Sequence, residues 1–474
     1  MSSKRKIYLL DQKKLNPETI AVTFAKTSRS PNTFNEIAAK LTDEKSARFH
    51  EKWVVEYGHA SVAEHAVLHI AIENISRLAV ETLESNRLAS YTEKSSRYQV
   101  WDETNFYIPP ELEGQPLKKL FLSTCKMLFS IYKKSLPVLE KKAVQRINRQ
   151  VGESEMNWRR RVHSSCVDAC RYYLPAASLA NVGMTINARA LEHALRKMLS
   201  HPLQEVQAIG NEIKSIAQSK LPTLVKYVKE IPYLTEMHQF MGKISYTQND
   251  DRQQQKDWCY LIDFDPDYEK HILVAMLYRF GELDYAQAVN TFNHFLPKEK
   301  QRIVKTLLGN LREHDIPLRE LEYSWFVFDI ILDQGAYFEF KRHRMMTQTP
   351  QRLTARLGYV IPKLITTAGL EEQYCQVMHE VQRVYEEIYA FNPEVAAYIV
   401  PNSFNRRMLA AFNFRTALHL IKLRSAANAH FAMRRVACRI AEEIYQRSDL
   451  FKGYIHTYSG ATWREIENNY FTKV

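Results

Sequence analysis

Glycine is scarce in this sequence: 13 of 474 residues. That argues for long helices over a succession of tight turns, because glycine opens the left-handed conformations such turns need. Cysteine is scarce as well. The six (Cys125, Cys166, Cys170, Cys259, Cys375, Cys438) show neither C-x-x-C pairing nor the density of a disulfide scaffold. Cys166 and Cys170 lie one helical turn apart, open to a redox pair but better explained by helix packing of a small hydrophobe. No apolar run approaches the ~20 residues that span a bilayer. After the basic start Met1-Ser2-Ser3-Lys4-Arg5-Lys6 only Ile7-Tyr8-Leu9-Leu10 follow, too short for the apolar core of a signal peptide. A cytoplasmic protein is expected, with no membrane partner and no metal site.

What is present is ordinary in composition, 45% hydrophobic and 25% charged, and long enough for two or three domains. The net charge of +12 admits nucleic acid, and equally small polyanions such as nucleotides, folates and flavin dinucleotides. The order of the chain is more informative, because one constellation occurs twice. The first copy holds Gly58-His59-Ala60-Ser61-Val62-Ala63-Glu64-His65, then Ser85-Asn86-Arg87, then Glu93, Ser95 and Arg97. The second holds His314, an aromatic run, then Arg342-His343-Arg344. Downstream, Leu174-Pro175 precedes Asn187-Ala188-Arg189, and Val400-Pro401 precedes Asn413-Phe414-Arg415, with twelve residues from Pro to Asn in both. Recurrence in the same order indicates internal duplication. The polar stretch 248–257 is the best linker, which places a first repeat at 1–247 and a second at 258–474. Residues 146–161, ending in Arg159-Arg160-Arg161, read as a solvated insertion ahead of a nucleic-acid patch.

Each half mixes strand and helix, an α+β pattern. Ala66, Leu68, Ile70 and Ile72 alternate with Val67, His69, Ala71 and Glu73 as a strand, and Trp325–Phe328 is its counterpart. Helical stretches are expected at 75–83, 330–340, 188–199 and 416–444.

Several of these residues have a bland reading. Ser61-x-x-Glu64 is a capping box in form. Glu93, Ser95 and Arg97 alternate, so an extended loop would turn an acceptor, a hydroxyl and a cation the same way, although a serine-rich surface loop has the same composition. Arg342-His343-Arg344 is either a solvated charged turn or a grip on an anion, since three cationic groups repel unless an anion sits among them. Arg415 and His419 share a helix face at i and i+4, with Arg424 on roughly the opposite side.

Taken together, these residues resemble the flavin-dependent thymidylate synthases, strongly around 53–101 and 171–207 and well at 325–349 and 395–430. The family carries a His followed by Ser/Thr and Glu-His, the signature R-H-R-x-x-S-x-N-x-x-S-x-R-Y, and a later Asn-x-Arg. The resemblance implies transfer of a methylene group from methylenetetrahydrofolate to C5 of a uracil nucleotide such as dUMP, with FAD as cofactor and NADPH as reductant. No cysteine nucleophile is required, and none of the six cysteines follows a proline.

Carried over by position, the halves divide the labour. Arg342, His343, Arg344, Asn413, Arg415 and His419 are expected at the flavin, with Arg424 polarising the pyrimidine as the catalytic residue. Glu93, Ser95, Arg97 and Arg171 are expected at the nucleotide, joined by Glu339 and Arg342. His59, Ser61, Glu64, Arg87, Asn187 and Arg189 are the flavin-side positions of the degenerate first copy. Three departures stand out. Arg-His-Arg has become Ser85-Asn86-Arg87, Ala397 stands where Arg171 stands in the first half, and Glu339 replaces the usual glutamine. The family's homotetramer implies a homodimer of tandem chains forming a pseudo-tetramer. A flavoenzyme acting on another pyrimidine, or an inactive nucleotide- or nucleic-acid-binding homologue, is the alternative.

Overall fold

The computed structural model describes residues 6–10, 14–97, 101, 106–244, 257–312 and 314–474; the linker assigned to 248–257 lies outside these except for Asp257. The chain divides into two compact units. The first comprises Met1–Ser95, Asn105–Lys118 and Ala177–Asp251, and the second comprises Ser96–Thr104, Lys119–Ala176 and Arg252–Val474. This division differs from a single cut at 248–257, because a stretch of the first half is built into the second unit.

In the first unit, strands β1 (Val67–Ser76), β2 (Ala89–Glu93) and β3 (Leu179–Asn187) form an antiparallel sheet ordered β1-β3-β2. Alternation along β1 buries Leu68, Ile70 and Ile72 on one face. A bulge follows Ile72, where Asn74 takes a positive φ of 57°, a conformation asparagine tolerates. The next helix starts at Arg77 rather than at 75: Ser76 caps it, its hydroxyl accepting from Ala79 N at 2.9 Å.

The second unit contains β4 (Cys259–Phe264), β5 (Phe326–Asp333), β6 (Thr347–Pro350), β7 (Ile361–Pro362), β8 (Asn405–Phe412) and β9 (Phe471–Lys473). Four of these make a sheet ordered β4-β5-β8-β6, and β7 pairs with β9. The order β5-β8-β6 repeats β1-β3-β2, with β4 added at one edge. Val67 stands opposite Asn187, and Phe326 opposite Phe412, the residue before Asn413, so the two Asn-x-Arg motifs leave their sheets at the same register.

Three sequence expectations change here. The helix expected at 330–340 begins only at Gln334: β-branched Ile330 and Ile331 stay in β5, paired with Met408 and Arg407, and Asp333 caps the helix Gln334–Phe340. The run expected at 416–444 is two helices, Phe414–Arg424 and Phe431–Gln446, parted by the stretch 425–430, with His430 capping the second. The stretch 146–161 is helical at both ends, with a turn between. Helix Leu117–Arg146 ends there and Glu155–Cys170 starts after the Ser154 cap, so Arg159–Arg161 ride on a helix.

Within the second unit the two copies meet at equivalent residues. Pro175 bridges Pro401; Ala176 N donates to Val400 O at 2.9 Å and Asn402 N to Leu174 O at 3.0 Å. A segment pairing antiparallel with its own duplicate places a local two-fold relation at these prolines.

Candidate functional site

The second unit gathers Arg97, Glu339, His343, His419 and Arg424. Glu339 and His343 lie on and just beyond the helix Gln334–Phe340, and both are buried. Arg424 ends the helix Phe414–Arg424, where a cation suits the negative end of the helix dipole. Its Nε donates to His343 Nε2 at 2.9 Å and its Nη1 to Glu339 Oε2 at 3.0 Å, leaving Nη2 without a partner among the described residues. Arg97 Nη1 reaches to 3.7 Å from Glu339 Oε1, a buried oxygen that accepts no hydrogen bond. One buried carboxylate therefore lies between two guanidiniums, one from each copy of the repeat.

His343 is not a third cation. Burial first, then the charges of Arg424 and His419, push its pKa down to about 3. The neutral ring accepts at Nε2 from Arg424, which assigns its proton to Nδ1. Arg342-His343-Arg344 is thus two cations flanking an uncharged imidazole, which relieves the repulsion its composition suggests. Burial also pulls Arg424 below its ordinary range; Glu339 opposes this, while the nearby charges of Arg342 and Arg97 add to it. His419 reaches the same group, its ring 5.8 Å from that of His343, and is lowered by burial and by Arg424. The helical-wheel separation of His419 and Arg424 does not keep them apart, because the arginine side chain is long and ends the helix.

Arg415 turns elsewhere. It donates to Glu322 Oε1 at 2.9 Å and to the Pro317 carbonyl at 3.0 Å. In the first unit Arg189 pairs with Glu64 Oε1 at 2.5 Å. By strand register Glu64 and Glu322 are equivalent, each three residues before the position facing the motif asparagine. Glu322 escaped the sequence reading, although its spacing from Trp325 matches that of Glu64 from Val67. Asn187 and Asn413 are helix caps, their side chains accepting from Ala190 N and Thr416 N at 2.9 Å. The capping box suggested by Ser61 and Glu64 is absent: the turn Ala60–His65 is a 3₁₀ helix with no side-chain cap, and Glu64 bonds Arg189. Ser61 and His59 are exposed, and the His59 ring lies 5.9 Å from Trp53.

Two expected nucleotide contacts have other partners. The Glu93 side chain is buried against Arg77 at 3.2 Å, within the first unit, where half-buried Ser95 also belongs. Arg171 is buried in the second unit, its Nη2 donating to the Gly335 carbonyl at 3.1 Å and its Nε unpaired. It faces Asp333, whose carboxyl burial pushes up to about 6 despite the nearby Arg171 charge. In the degenerate copy, Asn86 occupies the place of His343 and is approached not by an arginine but by Lys197, at 3.3 Å from Asn86 Oδ1 and 2.9 Å from Ser85 Oγ. Arg87 beside it is exposed.

The family model described as thymidylate synthase complementing protein matches residues 9–223 and again 260–448. The chain belongs to this family. A UPF0159 protein of Chlamydia muridarum is 29% identical over 434 residues, covering 88% of this chain and 82% of the relative. A flavin-dependent thymidylate synthase of Clostridium tetani is 30% identical over 214 residues, 45% of this chain and 82% of the relative. A solved flavin-dependent thymidylate synthase of Helicobacter pylori, in complex with FAD and dUMP, aligns with 45% of this chain and 96% of its own, at 18% identity and a TM-score of 0.32. The thymidylate synthase complementing family is thus matched twice in one chain, and the two matches carry the two unlike clusters described above: Arg424 with His343, and Lys197 with Asn86. Among the described residues no helix is long and apolar enough to cross a membrane, and no group of His, Cys, Asp and Glu could hold a metal ion.

Proposed function

We propose that this protein is an FAD-dependent enzyme transferring a one-carbon unit to C5 of a uracil nucleotide such as dUMP, with methylenetetrahydrofolate as donor and NADPH as reductant. The observation that carries the reading is the cluster in which Arg424, fixed by Glu339 and His343, keeps Nη2 without a partner among the described residues while Arg97 approaches from the other copy. Nη2 is a donor oriented in advance for a pyrimidine carbonyl oxygen, where it would stabilise negative charge developing on the ring as C5 forms its new bond. Arg97, its charge met by Asp168, would meet the phosphate end as an oriented guanidinium from the other copy. The residues fit a flavin dinucleotide: Arg342 is exposed and Arg344 half-buried on either side of the neutral His343, and the orphan Glu339 Oε1 offers an acceptor. Bound FAD would supply the reducing equivalents. Arg342 and Arg344 would hold its phosphates, and His343 would keep Arg424 in place. One FAD per chain and a dimer of chains follow from the single intact Arg-His-Arg.

A second reading, FAD-dependent modification of another pyrimidine, is favoured by Glu339 itself. A carboxylate only accepts, so it suits an edge bearing an amino group better than glutamine does. The deciding experiment uses the purified full chain. A yellow protein with about one flavin per chain that forms dTMP from dUMP, and loses this on Arg424→Ala, supports the first reading. Turnover of dCMP but not dUMP selects the second, and a colourless protein that binds no added FAD overturns both.

A further inference from the structure

The second unit contains a cavity of about 640 Å³ whose walls come from the helix Glu155–Cys170, the segment 362–367, the turn 427–431 and the helix Trp463–Tyr470. Its size suits a small ligand. Part of its wall, Asn469 and Tyr470, lies beyond the segments matched to the family.

Five cations line it, and two are already neutralised. Arg97 is held by Asp168 at 2.8 Å, and Arg161 by Glu153 at 2.8 Å. Arg146, Lys363 and Arg434 have no carboxylate partner among the described residues. Lys363 Nζ donates only to the Asn468 carbonyl, at 2.6 Å. Arg434 Nη1 is 3.5 Å from Tyr470 Oη, and its buried Nε has no acceptor. Phe431 and Tyr470 stack at 5.2 Å beside it. Three unneutralised cations around one hollow repel each other, and a buried guanidinium nitrogen without an acceptor costs free energy, until an anion enters.

We propose that this cavity binds a chain of two or more anionic groups, phosphate or carboxylate, held by Arg146, Lys363 and Arg434. The three cations sit on separate elements of the wall, so a single anion would leave some of them unmet.

Calorimetric titration of the full chain at low salt tests this, with inorganic tripolyphosphate in one arm and a tri-glutamate peptide in the other. Saturable binding of at least one probe is expected, about tenfold or more tighter than orthophosphate, and the tighter arm names the source. The double variant Lys363→Ala, Arg434→Gln should lose about tenfold, and Arg146→Ala, at an exposed position, should lose several-fold with no change in melting. Arg383→Ala, an exposed arginine paired with Glu380 and Glu387, serves as the charge control and should change little. No saturable binding in either arm, or losses equal to those of Arg383→Ala, overturns the proposal.

Discussion

Arg97 grips Asp168 as a fork grips a carboxylate: Nε to Oδ1 and Nη2 to Oδ2, both at 2.8 Å. This bidentate pair fixes the plane of the guanidinium and leaves Nη1 to reach the Asn428 carbonyl at 3.2 Å and the edge of Glu339. A residue of the first repeat is thereby oriented toward the cluster of Glu339, His343 and Arg424 in the second.

Asp168→Asn should loosen that orientation while leaving Arg97 charged. Affinity for the nucleotide is expected to fall by about tenfold, roughly 1.4 kcal/mol, with flavin absorbance unchanged. Titration of dUMP against flavin absorbance measures both. Unaltered nucleotide affinity would mean that the fork is scaffolding only.

Glu339 lies buried between Arg97, which also has Asp168, and Arg424, so Glu339→Gln strands the Arg424 guanidinium. Breaking a buried pair by removing one partner costs about 3 kcal/mol or more, and unfolding in denaturant should show a loss of that order. Glu339→Ala, Arg424→Met together should be less destabilising than either effect summed, since no charge is then left without its partner.

The flavin is expected to depend on the second Arg-His-Arg alone. Arg344→Ala should weaken FAD by about tenfold or more, and Asn86→Ala should do little, because Asn86 is buried and bonded to the Leu83 carbonyl and Lys197. Equal losses, read by flavin fluorescence, would sink the division of labour.

Arg97 and Arg424 reach the same carboxylate within one compact unit of one chain. Mixing Arg97→Ala chains with Arg424→Ala chains should therefore restore no activity. Rescue on mixing would show that the working site joins different chains.

His343 has an ordinary value of 6.5 in the unfolded chain and about 3 when folded. Between these the unfolded state binds the extra proton, so folding stability rises with pH across the window and is lost as pH falls below 6.5. Arg424, His419 and Glu339 are the charged or titratable groups around it. Asp333, raised to about 6, acts in the opposite sense below that pH, stability falling as pH rises toward 6. The His343 share is isolated by His343→Gln, which should lower the stability slope between pH 4.5 and 6 by about 1.4 kcal/mol per pH unit. An unchanged slope would mean that the imidazole is already charged in the folded chain.

Much of this was legible in the chain order. Two Pro-to-Asn spacings of twelve residues announced two copies of one topology, because duplicated strands keep the register that their buried faces require. Helix Ala188–Leu199 was readable to the residue, since its apolar spacing and its Asn187 cap agree. Other boundaries were not. Ile330–Asp333 stayed in a strand because β8 was there to pair it, and the helix after Phe414 stopped at Arg424 although the residues beyond it suit a helix.

The sequence by itself determined which side chains were available: an intact Arg-His-Arg in one copy, a degenerate one in the other, and the arginines at positions 97 and 424. Only the tertiary structure decided who meets whom. It buried Arg171 against Gly335 and Glu93 against Arg77, made His343 neutral, paired Glu322 with Arg415 and brought Arg97 to Glu339. The reason is physical. Local pattern sets periodicity and caps, whereas charge state and partner choice depend on burial and on residues hundreds of positions away, which no local window contains.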